Sequence, residues 1–89
     1  MGAAGKIVIY TMRYCGYCQR AKRLLEHKGA KFTEVSVDAN LELRRQLIDA
    51  SGQRTVPQIW INNQHIGGCT DLINLDVSGK LDEMLQALK

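Results

Sequence analysis

The chain has 89 residues, of which 45% are hydrophobic and 24% charged, and its formal net charge is +3. A chain of this length has room for one hydrophobic core, so residues 1–89 are predicted to form a single domain. The modest positive charge is compatible with small anionic ligands. It falls short of the concentrated basic face that marks a nucleic-acid-binding protein.

The sequence also lacks the features of a membrane or export segment. No apolar run approaches the roughly 20 residues that span a bilayer. The N-terminal MGAAGK is too short to supply the charged and apolar regions of a signal peptide. Cysteine occurs 3 times, an odd number, whereas a secreted disulfide framework normally uses an even one. We therefore expect a cytoplasmic protein with neither a membrane nor a nucleic-acid partner.

The first half of the chain predicts the order strand–helix–strand–helix. The apolar run KIVIY is typical of a strand covered on both faces, and a helix from 15 to about 28 follows until Gly29 ends it. KFTEVSV alternates as a second strand, and Asp38 or Asn40 caps the next helix, which the SG pair at 51–52 ends. In the first helix the predicted inward residues are Cys18, Ala21, Leu24 and Leu25, and the predicted outward ones are Arg20, Lys22, Arg23 and Glu26. In the second helix the predicted apolar residues include Leu43, Leu47 and Ala50.

The second half predicts a hairpin followed by two helices. After the only proline, QIWI is a third strand, NN a turn signal, and QHI a short antiparallel fourth strand. A helix begins at about Thr70, SGK interrupts it, and the last helix has an apolar face of Leu81, Met84, Leu85 and Leu88. The βαβ opening implies two parallel strands joined by a right-handed crossover. The predicted fold class is therefore α/β, with a four-stranded mixed sheet and helices on both faces.

Cys15 and Cys18 form a CxxC pair where the first strand gives way to the first helix. A helix N-terminus offers unpaired N–H groups and about half a positive charge, which stabilise the nucleophilic thiolate. We therefore assign Cys15 as the nucleophile, and Cys18, one turn further on the buried stripe, as the less ionised resolving thiol. A zinc site would need four ligands, and only His65 and Cys69 could complete it, a spacing that matches no common pattern.

Three stretches, YTMRYCGYCQRAKRLL, TVPQIWI and HIGGCTDL, together resemble a dithiol glutaredoxin of the small bacterial type. The resemblance covers nearly the whole chain. It implies a thioredoxin fold and glutathione-dependent thiol–disulfide exchange, in which Cys15 forms the mixed disulfide with glutathione and Cys18 resolves it. Such exchange requires no metal or resident cofactor, and glutathione is a co-substrate.

The resemblance also implies a glutathione site built from three parts. One is a loop whose proline is cis and lies against the active site, where the Val56 backbone pairs with the glutathione cysteine. The second is a helix start that holds the γ-glutamyl end, for which GGCTD would supply a flexible backbone and a threonine cap. The third is an aromatic wall. The matching residues are Thr55, Val56 and Pro57, then Gly68, Cys69, Thr70 and Asp71, and finally Tyr17. A trans proline and a plain glycine turn before a capped helix are the simpler alternatives.

Two positions depart from the family pattern. Gly16 stands where the commonest version of the motif has proline, so the redox potential does not transfer to this chain. Met12 stands where the family usually has a lysine near the glycyl carboxylate of glutathione. Arg13 and Arg44 are the candidates to contact that carboxylate instead, and a solvated surface charge is the alternative for each.

Three further side chains carry weaker expectations. Cys69 is a third thiol near the ligand site; we expect it to be buried and inert, and side disulfides under oxidation are the alternative. His27 and His65 are expected at the surface or rim without an identifiable partner. Trp60 alternates with its isoleucine neighbours, which predicts a place in the core.

The alternative function from another class is an iron–sulfur carrier. Two protomers would each give Cys15 to a [2Fe–2S] cluster, and two glutathiones would complete the four thiolates. Gly16 favours this alternative, whereas Cys18 retains the ordinary dithiol pattern. A general thioredoxin is less well supported, because Tyr17 lies inside the cysteine pair and GGCTD offers a carboxylate site. The expected protein is a monomer that acts on glutathionylated or disulfide-containing proteins, and its clients stay open.

Overall fold

The computed structural model describes all 89 residues. The elements are β1 (Ile7–Thr11), α1 (Gly16–His27), β2 (Thr33–Ser36), α2 (Leu41–Ser51), β3 (Gln58–Ile61), β4 (Gln64–Gly67), α3 (Cys69–Val77) and α4 (Lys80–Ala87). The four strands form one sheet in the order β2-β1-β3-β4. β1 and β2 are parallel, while β1 and β3, and β3 and β4, are antiparallel. The predicted α/β fold with a mixed four-stranded sheet is confirmed.

The core has two parts, one on each face of the sheet. β1 and β3 are the central strands, and every residue of both is buried, which explains their continuous apolar sequence. On one face the strand residues pack against α1, α3 and α4, and on the other against α2. The first part consists of Ile7, Ile9, Ala21, Leu25, Ile59, Ile61, Cys69, Leu72 and Leu81, and the second of Val8, Tyr10, Val37, Leu47 and Trp60.

The ends of the elements follow from local hydrogen-bonding chemistry. Of the two predicted caps of α2, the structure uses Asn40, whose Oδ1 accepts the Leu43 N–H at 3.0 Å. The left-handed Gly52 ends that helix with φ 70°. Asn62 and Asn63 have φ of 50° and 65°, as a two-residue hairpin turn requires. None of the helices has the length and hydrophobicity that a membrane crossing requires.

Two details predicted for the first helix were wrong. Cys15 precedes α1 as its N-cap, so that helix begins at Gly16. The Lys22 side chain is only 18% exposed, because its Nζ lies 3.1 Å from Glu34 Oε2 on β2. A lysine stem covers apolar surface while its charged end reaches a partner, so a charged residue on a helix does not by itself mark the solvent face.

Candidate active site

Cys15 lies where β1 ends and α1 begins, and its side chain caps that helix. Its Sγ accepts the backbone N–H of Cys18 at 3.2 Å. This N–H is one of the helix's unpaired donors, so the helix start stabilises negative charge on the sulfur. The same Sγ lies 3.7 Å from the Val56 carbonyl oxygen. Cys15 is partly exposed and is therefore the thiol that a disulfide substrate can reach.

Cys18 is the opposite kind of thiol. It is 1% exposed, and burial, followed by its hydrogen bond with Cys15, raises the pKa of Cys18 to about 12. The charge of Lys22, four residues further along the same helix face, acts weakly in the other direction. At neutral pH Cys18 is therefore a protonated thiol beside the Cys15 sulfur.

The Val56–Pro57 peptide bond is cis, as the resemblance implied, and its loop lies against Cys15. The loop is held by Gln58, a fully buried polar residue of β3. Gln58 Nε2 donates to the Thr55 carbonyl at 3.1 Å, and Gln58 Oε1 lies 2.8 Å from His65 Nε2. These bonds tie the loop to the central sheet.

The hydrogen bond with Gln58 shows that His65 has a partner, so the expectation that it lacks one was wrong. Its ring also lies 4.5 Å from the Trp60 ring, centre to centre. Trp60 itself is buried in the core, as predicted. Gln58 was not predicted from the sequence, although a polar residue directly after the only proline, inside an otherwise apolar strand, was the available signal.

The start of α3 is a second set of backbone donors. Its first intrahelical bond joins the Leu72 N–H to the Gly68 carbonyl at 3.1 Å. The N–H groups of Cys69, Thr70 and Asp71 therefore have no acceptor within the helix. The predicted threonine cap was wrong: Gly68 is the N-cap residue, and Asp71 Oδ2 accepts its N–H at 2.9 Å.

Close packing explains the two glycines before α3. Gly67 has φ 118°, and a Cβ there would collide with the Asp71 carboxylate. A Cβ at Gly68 would lie 3.4 Å from the Pro57 carbonyl oxygen, so α3 starts directly beside the cis-proline loop. Cys69 is buried, with 4% exposure, and burial raises the pKa of its thiol.

The two arginine candidates differ in their surroundings. Arg44 is partly buried. One of its guanidinium nitrogens donates to the Arg54 carbonyl at 3.2 Å, and another contacts the Met12 sulfur. Arg44 thus places a cation beside Met12. Arg13 has a side chain that is 78% exposed, with its Nε 3.7 Å from Asp38 Oδ2.

Two exposed tyrosines flank the reactive sulfur. Tyr17 is 60% exposed, and the Arg20 guanidinium lies over its ring at 6.0 Å from the centroid. Tyr14, which the sequence analysis did not single out, is 101% exposed and has φ 55°. No periodic pattern marks such a position, because a positive φ at a tyrosine is an exception to the usual residue preferences.

A polar network beside α1 was also not predicted from the sequence. The Glu34 carboxylate accepts the Thr11 hydroxyl at 2.7 Å and binds Lys22 Nζ at 3.1 Å. The hydrogen bond from Thr11, followed by that from Lys22, lowers the pKa of Glu34. The network joins β1, α1 and β2 close to Cys18, and the only sequence signal for it was the four-residue spacing between Cys18 and Lys22.

An accessible sulfur at a helix start, a buried thiol one turn later and a cis-proline loop against them define a thiol–disulfide oxidoreductase site. The family comparison agrees with this class. A sequence model of the glutaredoxin family matches residues 7–66. The chain is 52% identical to a glutaredoxin of Pseudomonas aeruginosa over 81 residues, which covers 91% of this chain and 96% of that one.

Solved structures extend the comparison to the fold. The solution structure of a Brucella melitensis glutaredoxin matches with a TM-score of 0.85 and 46% identity, covering 99% of this chain and 96% of that one. A buckwheat glutaredoxin–glutathione complex matches with a TM-score of 0.87 and 35% identity, covering 92% and 77%. The chain has the thioredoxin fold and belongs to the glutaredoxin family, of the small bacterial type. It is a glutathione-dependent thiol–disulfide oxidoreductase.

Proposed function

We propose that this enzyme reduces protein–glutathione mixed disulfides with Cys15 as the nucleophile. The Cys15 thiolate attacks the glutathione sulfur, so a Cys15–glutathione disulfide forms while the protein sulfur leaves as a thiolate and takes up a proton. The thiolate of a second glutathione then attacks the mixed disulfide, which regenerates Cys15 and yields oxidised glutathione. The observation that supports this assignment most directly is the position of Cys15 Sγ, partly exposed and bonded to the Cys18 N–H at 3.2 Å.

Disulfide substrates take a second route through Cys18. Cys15 attacks the disulfide, and Cys18 then attacks the Cys15 sulfur, so that the substrate leaves with both of its thiols and the enzyme holds a Cys15–Cys18 disulfide. Two glutathiones reduce this bond and become oxidised glutathione. The burial of Cys18 supports a resolving role, because the high pKa of about 12 keeps it protonated until it attacks the Cys15 sulfur. Its proton then passes to the substrate thiolate that leaves.

Glutathione is proposed to lie along the cis-proline loop, between the two helix starts. The Val56 backbone pairs with the glutathione cysteine, and the free N–H groups at the start of α3 receive the γ-glutamyl carboxylate. Arg44, held at Met12, binds the glycyl carboxylate, and Tyr17 forms the side wall. The residues that contribute are Tyr17, Arg44, Thr55, Val56, Pro57, Gly68, Cys69, Thr70 and Asp71, with Arg13 at the rim.

The location of both thiols in one chain supports a monomeric enzyme. Both thiols and the cis-proline loop belong to one chain, so we propose that a single-domain monomer acts on glutathionylated or disulfide-containing proteins. The proposed compartment is the cytoplasm, where thiols are kept reduced. The measurement of oligomeric state is sedimentation of the reduced protein with and without glutathione.

Cysteine variants test the division of roles. Cys15→Ser is expected to abolish glutathione-coupled reduction of a small mixed disulfide. Cys18→Ser is expected to keep that activity and lose reduction of a dithiol substrate such as an intramolecular peptide disulfide. Cys69→Ala keeps its backbone N–H and is the matched control, with both activities retained. Loss of deglutathionylation in Cys18→Ser contradicts the assignment.

A glutathione-ligated [2Fe–2S] cluster is the second candidate, favoured by one observation. A Cβ added at Gly16 would have no neighbouring atom within 4 Å, so the space beside Cys15 is open. Cys18 and Cys69 are 1% and 4% exposed, which leaves Cys15 as the one accessible thiolate of each chain. A cluster with four thiolates would therefore need two chains and two glutathiones. Visible absorption after anaerobic purification, present in the wild type and absent in Cys15→Ser, tests it.

A further inference from the structure

Tyr14 has a conformation and an exposure that the proposed chemistry does not use. Its side chain is as exposed as in an isolated peptide, at 101%, so its ring packs against nothing in the chain. Its backbone has φ 55°, in the left-handed region that bulky side chains rarely adopt. The neighbouring position is Cys15, and both residues line one shallow depression with Arg13, Gly16 and Gln19.

Neither feature contributes to stability. An exposed aromatic ring gains no burial, and a left-handed backbone at a non-glycine residue is strained. Asparagine or glycine would fit this backbone better. A strained residue that presents its ring beside the reactive sulfur is typical of a contact made with a partner.

The charges around this ring indicate what the partner carries. Arg13, directly before Tyr14, has a side chain that is 78% exposed. Arg20, one turn along α1 from Gly16, is also exposed and lies over the Tyr17 ring. The surface around the Cys15 sulfur, called the rim here, therefore combines the two exposed tyrosine rings with two exposed guanidinium groups. Such a rim complements an apolar side chain accompanied by a carboxylate.

We propose that Tyr14 determines specificity for protein clients by packing on an apolar residue next to the client's glutathionylated cysteine, with an acidic client residue at Arg13 or Arg20. This inference rests on the proposed function of the same site. The exchange itself is unchanged: the Cys15–glutathione disulfide forms, the client–glutathione disulfide breaks, and the client sulfur leaves as a thiolate. The ring acts on the approach of the client and not on the glutathione half.

The test compares two peptides with a small disulfide. Each synthetic peptide carries one glutathionylated cysteine, flanked either by leucine and glutamate or by serine and lysine, and the small substrate is the cysteine–glutathione mixed disulfide. We expect the wild type to prefer the leucine–glutamate peptide. Tyr14→Asn is expected to lower the ratio of kcat/KM for this peptide to kcat/KM for the small disulfide by about fivefold or more. Tyr14→Phe keeps the ring and should keep the ratio.

Stability provides an independent readout. Because asparagine tolerates the left-handed backbone, Tyr14→Asn is expected to raise Tm by about 4 °C while it lowers the peptide ratio. Ala39→Asn is the matched control, since Ala39 also has a left-handed backbone, with φ 56°, and is exposed between β2 and α2. It should raise Tm similarly and leave the ratio unchanged.

The outcomes separate the two proposals. If Tyr14→Asn leaves the ratio unchanged, or lowers kcat/KM equally for peptide and small disulfide, the role of Tyr14 is overturned while the glutaredoxin chemistry stands. If the wild type turns over neither substrate, the proposed function fails and this inference fails with it. A fall in the ratio that Ala39→Asn also produces overturns the role of Tyr14 as well.

Discussion

The starts of α1 and α3 lie on two sides of the same cis-proline loop, and they use their backbone donors differently. At α1 the donor nearest the site, the Cys18 N–H, is taken by the chain's own Cys15 sulfur at 3.2 Å. At α3 the Asp71 carboxylate accepts the N–H of Gly68, while the N–H groups of Cys69 and the next two residues lie before the first intrahelical bond. The start of α1 thus stabilises the sulfur of the chain's own Cys15, whereas the N–H groups at the start of α3 are available to a bound anion.

The two helix starts also differ in what supports them. The α1 start depends on burial, because Cys18 is 1% exposed and the polar network of Thr11, Lys22 and Glu34 lies close to it. The α3 start depends on close backbone approach, because a side chain at Gly67 would collide with Asp71. A nucleophilic thiol needs a controlled protonation state, whereas the proposed glutathione site at the start of α3 needs a fixed backbone shape. The two sides should therefore respond to different perturbations.

The largest expected effect is the pH dependence of the step that uses Cys18. Burial is the largest cause of the high pKa of Cys18, and we expect it to keep the attacking thiolate scarce at pH 7 when Cys15 is glutathionylated. We expect conversion of the Cys15–glutathione adduct to the Cys15–Cys18 disulfide to accelerate about tenfold per pH unit between pH 7 and 9. Release of glutathione from the purified adduct, without free thiol present, measures this rate. A plateau below pH 8 would contradict the prediction, and Cys18→Ser, which should release none, is the control.

The next largest effect should come from Gly67→Ala on the α3 side. The new Cβ meets the Asp71 carboxylate, and φ 118° is unfavourable for alanine. We expect a loss of about 2 kcal/mol in the free energy of unfolding and about a tenfold rise in KM for glutathione, from urea titration and steady-state kinetics. Gly29→Ala is the control, because Gly29 has φ 70° and open space around it. Gly29→Ala should lower the free energy of unfolding by about 1 kcal/mol and leave KM for glutathione unchanged. A similar KM for the two variants would contradict the prediction that the backbone shape at the start of α3 determines glutathione binding.

Asp71→Asn should have a smaller effect at the same helix start. Asparagine keeps an oxygen for the Gly68 N–H, which Asp71 Oδ2 accepts at 2.9 Å, but it removes a negative charge that would favour the ammonium group of the γ-glutamyl end in the proposed glutathione site. We expect KM for glutathione to rise about fivefold with little change in kcat and a stability loss below about 1 kcal/mol. Asp49→Asn removes an exposed carboxylate on α2 and is the control for net charge. An equal rise in KM for the two variants would mean that Asp71 acts only through the overall charge of the protein and not through a local contact.

The fold and the reactive pair could be predicted because they depend on local patterns. Hydrophobic periodicity and turn signals predicted all eight elements with every end within two residues, and the CxxC spacing placed the dithiol at the start of α1. Only the family resemblance predicted that the Val56–Pro57 bond is cis, because X–Pro bonds are generally trans.

The parts of the site that were missed join residues far apart in the chain. The bond between Gln58 and His65 and the contact between Arg44 and Met12 appear only when strands and loops are assembled in three dimensions. Tyr14 was not predicted for a different reason. Its significance lies in a backbone angle of φ 55°, which departs from its residue preference, so no propensity argument could have predicted it.

The smallest expected effect tests the polar network beside α1 through Glu34. Thr11 and Lys22 lower the pKa of Glu34, so its contribution to stability is present above the ordinary glutamate pKa and is lost as pH falls through the lower folded value. Its side chain is 38% exposed, so Glu34→Gln should cost only about 0.5 kcal/mol at pH 7. Urea unfolding of the wild type and the variant should converge at a pH below the folded pKa. Glu42→Gln, which removes a carboxylate that accepts a hydrogen bond from the Gln46 amide at 3.4 Å, is the control for the loss of one surface charge. If the Glu34 difference persists in acid, the network acts through packing and not through charge, and the contrast between the two helix starts is weaker than the structure indicates.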